Sequence, residues 1–239
     1  MALKPRVVFV HRRTEYDEML ATHGTRGQAA FFLRSRGRSI EELVERHRQL
    51  AMALGTATAA IPEDWRRGRV ERADVARFLF APDDVVVVVG QDGLVANVSK
   101  YLDGQPVIGI DPEPGRNAGV LVRHPATDLR ELLHGRAGVT EHRMVEASLD
   151  DGQHMVALNE IFIGHRTHQS ARYTIRDGDI TEIVEDGNAL RAICDVDDAV
   201  GANGNKNAVR LQTHPPISQC TDEGRRQLLV GRKLLPAIA

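Results

Sequence analysis

Five consecutive valines, Val85-Val86-Val87-Val88-Val89, run straight into Gly90-Gln91-Asp92-Gly93. β-Branched side chains lose rotamer freedom in a helix and pack well on a pleated surface, so the run predicts a strand. It is apolar on both faces, as strands covered on both sides of a parallel sheet are. Each fully buried valine would contribute roughly 1.5–3 kcal/mol. The strand then breaks into a tight polar turn. Leu94, Val95, Val98, Tyr101 and Leu102 follow at helical spacing, with Asp103-Gly104 as the helix end. Pro106-Val107-Ile108-Gly109-Ile110 is the next strand. Strand, turn, helix and strand make a βαβ unit with a right-handed crossover.

Ligands of open α/β sheets bind at the carboxyl ends of the strands. Gly90 and Gly93 would let a ligand approach the backbone, and the amides opening the next helix favour an anion. Asp92 there could serve a magnesium ion or accept a hydroxyl proton. A plainer alternative stands beside this one: Asp92 caps the helix and the glycines only shape the turn. The turn is neither a Walker A loop nor a G-x-G-x-x-G fingerprint.

The chain has 239 residues, enough for one large or two small domains, and 42% of them are apolar. A net charge of −2 gives no reason to expect nucleic acid or an anionic membrane as partner. No apolar run approaches the ~20 residues of a membrane span, and the first residues lack a signal-peptide pattern. Two cysteines, Cys194 and Cys220, suggest a reducing compartment. These features together predict a soluble cytoplasmic protein.

Arg6 to Val10 reads as the first strand. Thr14 with Asp17 marks a helix start, Gln28 to Arg36 a second helix, and Ser39 with Glu42 the cap of a long third one. Leu43, His47, Leu50, Ala51 and Leu54 line its apolar face. The basic segment Trp65-Arg66-Arg67 and Arg69 reads as a surface helix, with a phosphate-facing edge as the alternative. A short helix follows through Val75, Phe78 and Leu79. Asp111 to Asn117 is a turn-rich candidate ligand loop, Val120 to Val122 a short strand, and Ala126 to His134 a helix.

The pattern then becomes antiparallel β. Met144 to Leu149 and Met155 to Gly164 make a hairpin about Asp150-Asp151-Gly152, and Ala171 to Arg176 a further strand before Asp177-Gly178-Asp179. Asn159-Glu160 interrupts an apolar strand, which marks either a functional pair or a bulge or strand-end hydrogen-bonding pair. The fold class expected is an α/β domain with a parallel sheet over residues 1–125, then a β-rich domain over 126–239. Its tail is atypical from about residue 178. That tail holds the polar loop Gly201 to Asn207, the break Pro215-Pro216 and a helix from Gln227 to Leu235. The ten histidines show no metal signature, His165 and His168 included, and no metal-ligating residues are assigned.

Three motifs stand in order: Gly-x-Asp-Gly at residues 90–93, Pro106-Val107-Ile108-Gly109-Ile110-Asp111, and Ala157-Leu158-Asn159-Glu160. Together they resemble the NAD kinase family, within the diacylglycerol kinase/NAD kinase-like superfamily, over roughly residues 6–176. The resemblance implies transfer of the γ-phosphoryl of ATP, or of polyphosphate, to the adenosine-ribose 2′-hydroxyl of NAD, giving NADP. It implies Asp92 as proton acceptor and Gly90, Gln91 and Gly93 as the phosphate loop. Asp92, Gly93, Asn97, Asn159 and Glu160 would contact substrate. Mg²⁺ would come with ATP, and the protein would be a homo-oligomer. Gln91 stands where the family has glycine, Asp111 where it has asparagine, and the family's later Thr-Pro-Thr-Gly-Ser loop has no counterpart. The family's scaffold without catalysis, binding NAD(P), is the alternative reading. A related lipid- or sugar-kinase activity is a third, against which Asn159-Glu160 argues.

Overall fold

The structure is a computed structural model that describes residues 4–116, 119–135, 138–149, 152–163, 171–177, 180–187, 190–193, 209–214 and 226–238. The chain divides into two units, residues 1–140 with 236–239, and residues 141–235.

The first unit is α/β. Its strands are β1 (Arg6–His11), β2 (Arg66–Glu71), β3 (Asp84–Val89), β4 (Val107–Asp111) and β5 (His124–Pro125). They form a parallel sheet in the order β2-β1-β3-β4-β5. The valine run lies at its centre, with Val7 beside Val85 and Val89 beside Ile110. Val86, Val87, Val88 and Val89 are all fully buried, so the expectation of a strand covered on both faces holds.

Helices α1 (Glu15–His23), α2 (Arg26–Arg34) and α3 (Ile40–Ala60) connect β1 to β2. Thr14 and Asp17 form the reciprocal capping box that their spacing predicts. Ser39 does cap α3, but its hydroxyl accepts from the Glu41 amide rather than from Glu42. Val7, Phe9, Val87, Val89, Ile108 and Ile110 pack under Ala53, Leu54, Ala57 and Ala60 of α3. A second cluster joins Ala29 and Leu33 to Ile40 and Leu43. Helix α4 (Asp92–Ser99) links β3 to β4, with Val95 and Val98 fully buried. It ends at Ser99, earlier than Asp103-Gly104, and the chain then turns through Gly104 at φ 102°.

Several local expectations change. Arg66 to Glu71 is strand β2, not a surface helix: pairing with β1 and burial of Val70 outweigh the basic composition, and charge on an edge strand guards against edge-to-edge association. Residues 72–77 form a 3-10 helix that leaves Leu79 88% exposed. Val120 to Val122 is a loop, because its amides serve a side chain instead of a ladder. Residues 126–128 are 3-10, and α5 covers only Leu129–Leu133.

The described segments of the second unit are strands. β6 (Thr140–Leu149) begins one residue before it and pairs antiparallel with β7 (His154–Ala157). β8 (Glu160–Ile163) pairs with β11 (Leu190–Ile193), and β9 (Ala171–Asp177) lies between β10 (Ile180–Gly187) and β12 (Val209–His214). β12 pairs with β13 (Arg226–Ile238), so the tail expected as a helix is a strand. Short apolar runs such as Leu228-Leu229-Val230 do not separate the two by periodicity, and pairing decides. Residues 150–151, 178–179, 201–207 and 215–216, with Asn117, His165, His168, Cys194 and Cys220, lie outside the described residues.

Candidate functional site

Strand order reverses in direction at β1, where the chain leaves by α1 to α3 for β2 on one side and β3 lies on the other. Crevices of such sheets open at the carboxyl ends of strands near that reversal. The turn after β3 is there. Gln91 is the N-cap residue of α4, extended at φ −116° and ψ 163°, so a side chain sits at this position without strain. Neither Gly90 nor Gly93 has a positive φ. A Cβ on Gly93 would meet nothing within 4 Å, so this glycine leaves open space rather than making the turn possible.

Asp92 organises the site. Its Oδ2 accepts from the Val120 amide at 2.8 Å, and its Oδ1 from the Leu121 and Val122 amides at 3.1 and 2.9 Å. The carboxylate therefore does not cap α4; it fixes the loop 119–122 over the sheet. Its charge still complements the helix N-terminus.

Two glycines let that loop close. A Cβ on Gly109 of β4 would lie 2.2 Å from the Leu121 carbonyl oxygen and 2.9 Å from Val122 Cα. A Cβ on Gly119 would lie 2.3 Å from the Val122 oxygen and 2.9 Å from Asp92 Oδ1. The Gly109 of the Pro106-to-Asp111 motif thus has a stated role: it lets backbone lie directly on backbone, with Asp92 locking the far side.

Between these parts is a cleft of about 320 Å³, lined by the turn 90–93, by Asp111, Pro112 and Glu113, and by Gly119 and Val122. Asp111 Oδ1 accepts from the Glu113 amide at 2.8 Å, an Asx turn that shapes the loop after β4. Glu113 Oε2 is buried and 3.1 Å from Arg116 Nη1, yet makes no aligned hydrogen bond. The ion pair is a Coulombic contact, and the oxygen retains acceptor capacity. The lining is thus acidic. Phosphate groups would enter with a counter-ion, and a hydroxyl group would find acceptors. Among the described residues no three His, Cys, Asp or Glu side chains are grouped to hold a metal.

Gly90, Gln91, Asp92 and Gly93 therefore meet in one cleft. Asn97 lies further along α4, half-buried and outside the lining. Asn159 and Glu160 belong to the second unit. Asn159 is exposed at the bend after β7, and Glu160 opens β8 opposite Ile193. The pair thus marks a break between two strands, where one continuous strand was expected. Sequence reasoning missed the loop 119–122, whose apolar Val-Leu-Val reads as a strand. The signal available was Gly119 just before it. Glu113 belongs to the candidate ligand loop Asp111 to Asn117, but its half-burial follows from loop geometry and was not legible.

No family model matches the chain, and no curated protein matches it. Among solved structures that match is an NAD kinase from Archaeoglobus fulgidus in complex with ATP. It shares 12% identity, with 97% of this chain and 92% of that chain covered, at a TM-score of 0.44. Identity and superposition at this level carry no chemistry across, so function has to be read from the site itself.

Proposed function

We propose that the chain is an NAD kinase-like phosphotransferase. The observation that carries this is Asp92, held by three amides at the mouth of an acidic cleft after the central strand. The order of its three motifs, Gly-x-Asp-Gly, Pro-x-x-Gly and Asn-Glu, supports the same reading.

In the reaction, the adenosine-ribose 2′-hydroxyl of NAD gives its proton to Asp92. Its oxygen forms the new bond to the γ-phosphorus of ATP, or to a terminal phosphorus of polyphosphate. The bridging P–O bond breaks, and ADP or the shortened polyphosphate leaves with the electron pair. Oδ2 accepts a single amide, and a carboxylate has about four acceptor positions, so capacity for that proton remains. Such transfer depends mainly on positioning and charge neutralisation. Asp92 is fixed at no further cost when substrate arrives, because the loop already holds it. Magnesium enters as part of the nucleotide substrate, offsetting the acidic lining. Gly93 leaves room for the nucleotide, Gln91 and Gly90 complete the turn against it, and Asn97 stands near the substrate. Asn159 and Glu160 hold the adenosine half of NAD. The active form is a homo-oligomer, and the second domain is β-rich and of the NAD kinase type.

One observation favours a second reading. All three hydrogen bonds that Asp92 accepts hold the loop in place, and Gln91 stands where the resembled family has glycine, as in a scaffold that binds NAD(P) without turnover. Glu160→Ala separates substrate contact from folding. Its apparent KM for NAD should rise at least tenfold with kcat changed less than threefold. An unchanged KM would remove Glu160 from the site. NAD binding by calorimetry without any NADP formation would select the non-catalytic reading.

A further inference from the structure

A second, larger groove lies in the first unit, away from the cleft at Asp92. It has a volume of about 800 Å³ and runs between the last turns of α3, the segment Ile61-Pro62-Glu63, strand β2 and α5. Three arginines line it: Arg67 and Arg69 from β2, and Arg130 from α5. Period-2 alternation puts Arg67 and Arg69 on one face of the edge strand and Arg66 on the other.

Each of the three guanidinium groups is oriented by a neutral acceptor. Arg67 Nη2 donates to the Ile61 carbonyl oxygen at 3.1 Å, and Arg130 Nη2 to that of Ala59 at 3.4 Å. Arg69 Nε donates to His11 Nε2 at 2.8 Å. Helix α3 has no basic residue in its last turn, so Arg67 and Arg130 serve its terminal carbonyls from outside. That is a structural role, but each uses one of five N–H donors for it. Four arginines elsewhere in this unit are held by carboxylates: Arg6 by Asp84, Arg66 by Asp83, Arg38 by Glu15 and Arg48 by Glu45. No carboxylate pairs with Arg67, Arg69 or Arg130 among the described residues. Glu71 on the same strand is taken by Arg13 at 3.6 Å. Glu63 is the carboxylate in the lining, so three cations against one anion leave a net charge of +2.

We infer that this groove binds a small molecule carrying two or more phosphate groups. Planar forks that are already oriented and not neutralised match phosphate oxygens, and the volume falls in the range of ligand pockets, about 300–1,000 Å³. Ala51, Ala59 and Pro62 supply apolar surface for the rest of the ligand. Gly55 keeps the groove open, since a Cβ there would meet nothing within 4 Å. The site is independent of the reaction proposed at Asp92.

The test is calorimetric titration with inorganic tripolyphosphate in magnesium-free buffer. It uses the full chain and, to separate it from the reaction, the Asp92→Asn protein. Both should show a binding event that Arg67→Ala/Arg130→Ala weakens at least tenfold. Gly55→Leu, which fills the groove while leaving all three arginines in place, should weaken it as strongly. Arg34→Ala/Arg77→Ala makes the same charge change at exposed sites outside the groove, and it should alter affinity less than twofold. Binding unchanged in the groove variants, equal loss in the control pair, or no binding by the starting protein would each overturn the inference.

Discussion

At Gly109 one methyl group decides whether the loop over the cleft can close. Gly109→Ala would drive a Cβ to 2.2 Å from the Leu121 carbonyl oxygen, and backbone on both sides leaves it nowhere to go. Overpacking of this kind costs about 1–3 kcal/mol, which a urea melt would read as a lower midpoint at constant m. Gly93→Ala is the contrast: its Cβ meets nothing, so stability should stay within about 0.5 kcal/mol of the parent. Nucleotide binding should nonetheless weaken, and unchanged affinity would mean that no ligand approaches Gly93. His11 provides a pH test. Burial, then the charge of Arg69, pushes its pKa below the ordinary 6.5. The neutral ring accepts from Arg69 Nε, which a protonated ring cannot do. Unfolded chains take up a proton near pH 6.5 and the folded chain only lower down. The stabilisation is therefore complete above about pH 6.5 and falls away as pH drops through the folded value. His11→Gln should flatten the stability profile between pH 7 and pH 5; an unaltered slope would assign that slope to other groups.

Among the elements, those with dense local signals were the legible ones. The valine strand and the Thr14–Asp17 box follow from β-branching and capping chemistry carried by neighbours in sequence; the core face of α3 was legible only in part, since Leu43 and Leu54 are buried but Ala51 is exposed and Ala53, Ala57 and Ala60 are buried instead. Strand β2 was not legible, because Arg-Arg-Gly-Arg becomes a strand only by pairing with β1, some sixty residues away. The loop 119–122 was hidden for the same reason: its apolar residues suit a strand, and only Asp92, 28 to 30 residues earlier, claims its amides. The importance of Asp92 could be read from its place after the strand; its bonding could not. Helix α3 offers a prediction at this scale. Gly55 sits in the interior of the helix with open space around its missing side chain. Gly55→Ala should stabilise the protein by about 0.5–1 kcal/mol, through lost freedom in the unfolded chain. A lower melting temperature would show that this glycine serves close packing instead.

For the whole molecule, a parallel five-stranded sheet with helices brings a strand-end turn, a loop after β4 and an acidic cleft together in the first unit. Asn159-Glu160 sits in the second. No helix among the described residues is long and apolar enough to cross a membrane. The proposal draws residues from both units, so its test uses the intact chain. Asp92→Asn keeps an acceptor for two of the three amides and removes the basic carboxylate, so the loop should survive at a cost of about 1 kcal/mol. The decisive measurement is NADP⁺ formation from NAD⁺ with Mg²⁺ and either ATP or polyphosphate, comparing the parent with Asp92→Asn. The account predicts NADP⁺ from the parent and at least a thousandfold lower rate from the variant, with NAD binding retained. Equal rates, or no product from a folded parent that binds NAD, would contradict it.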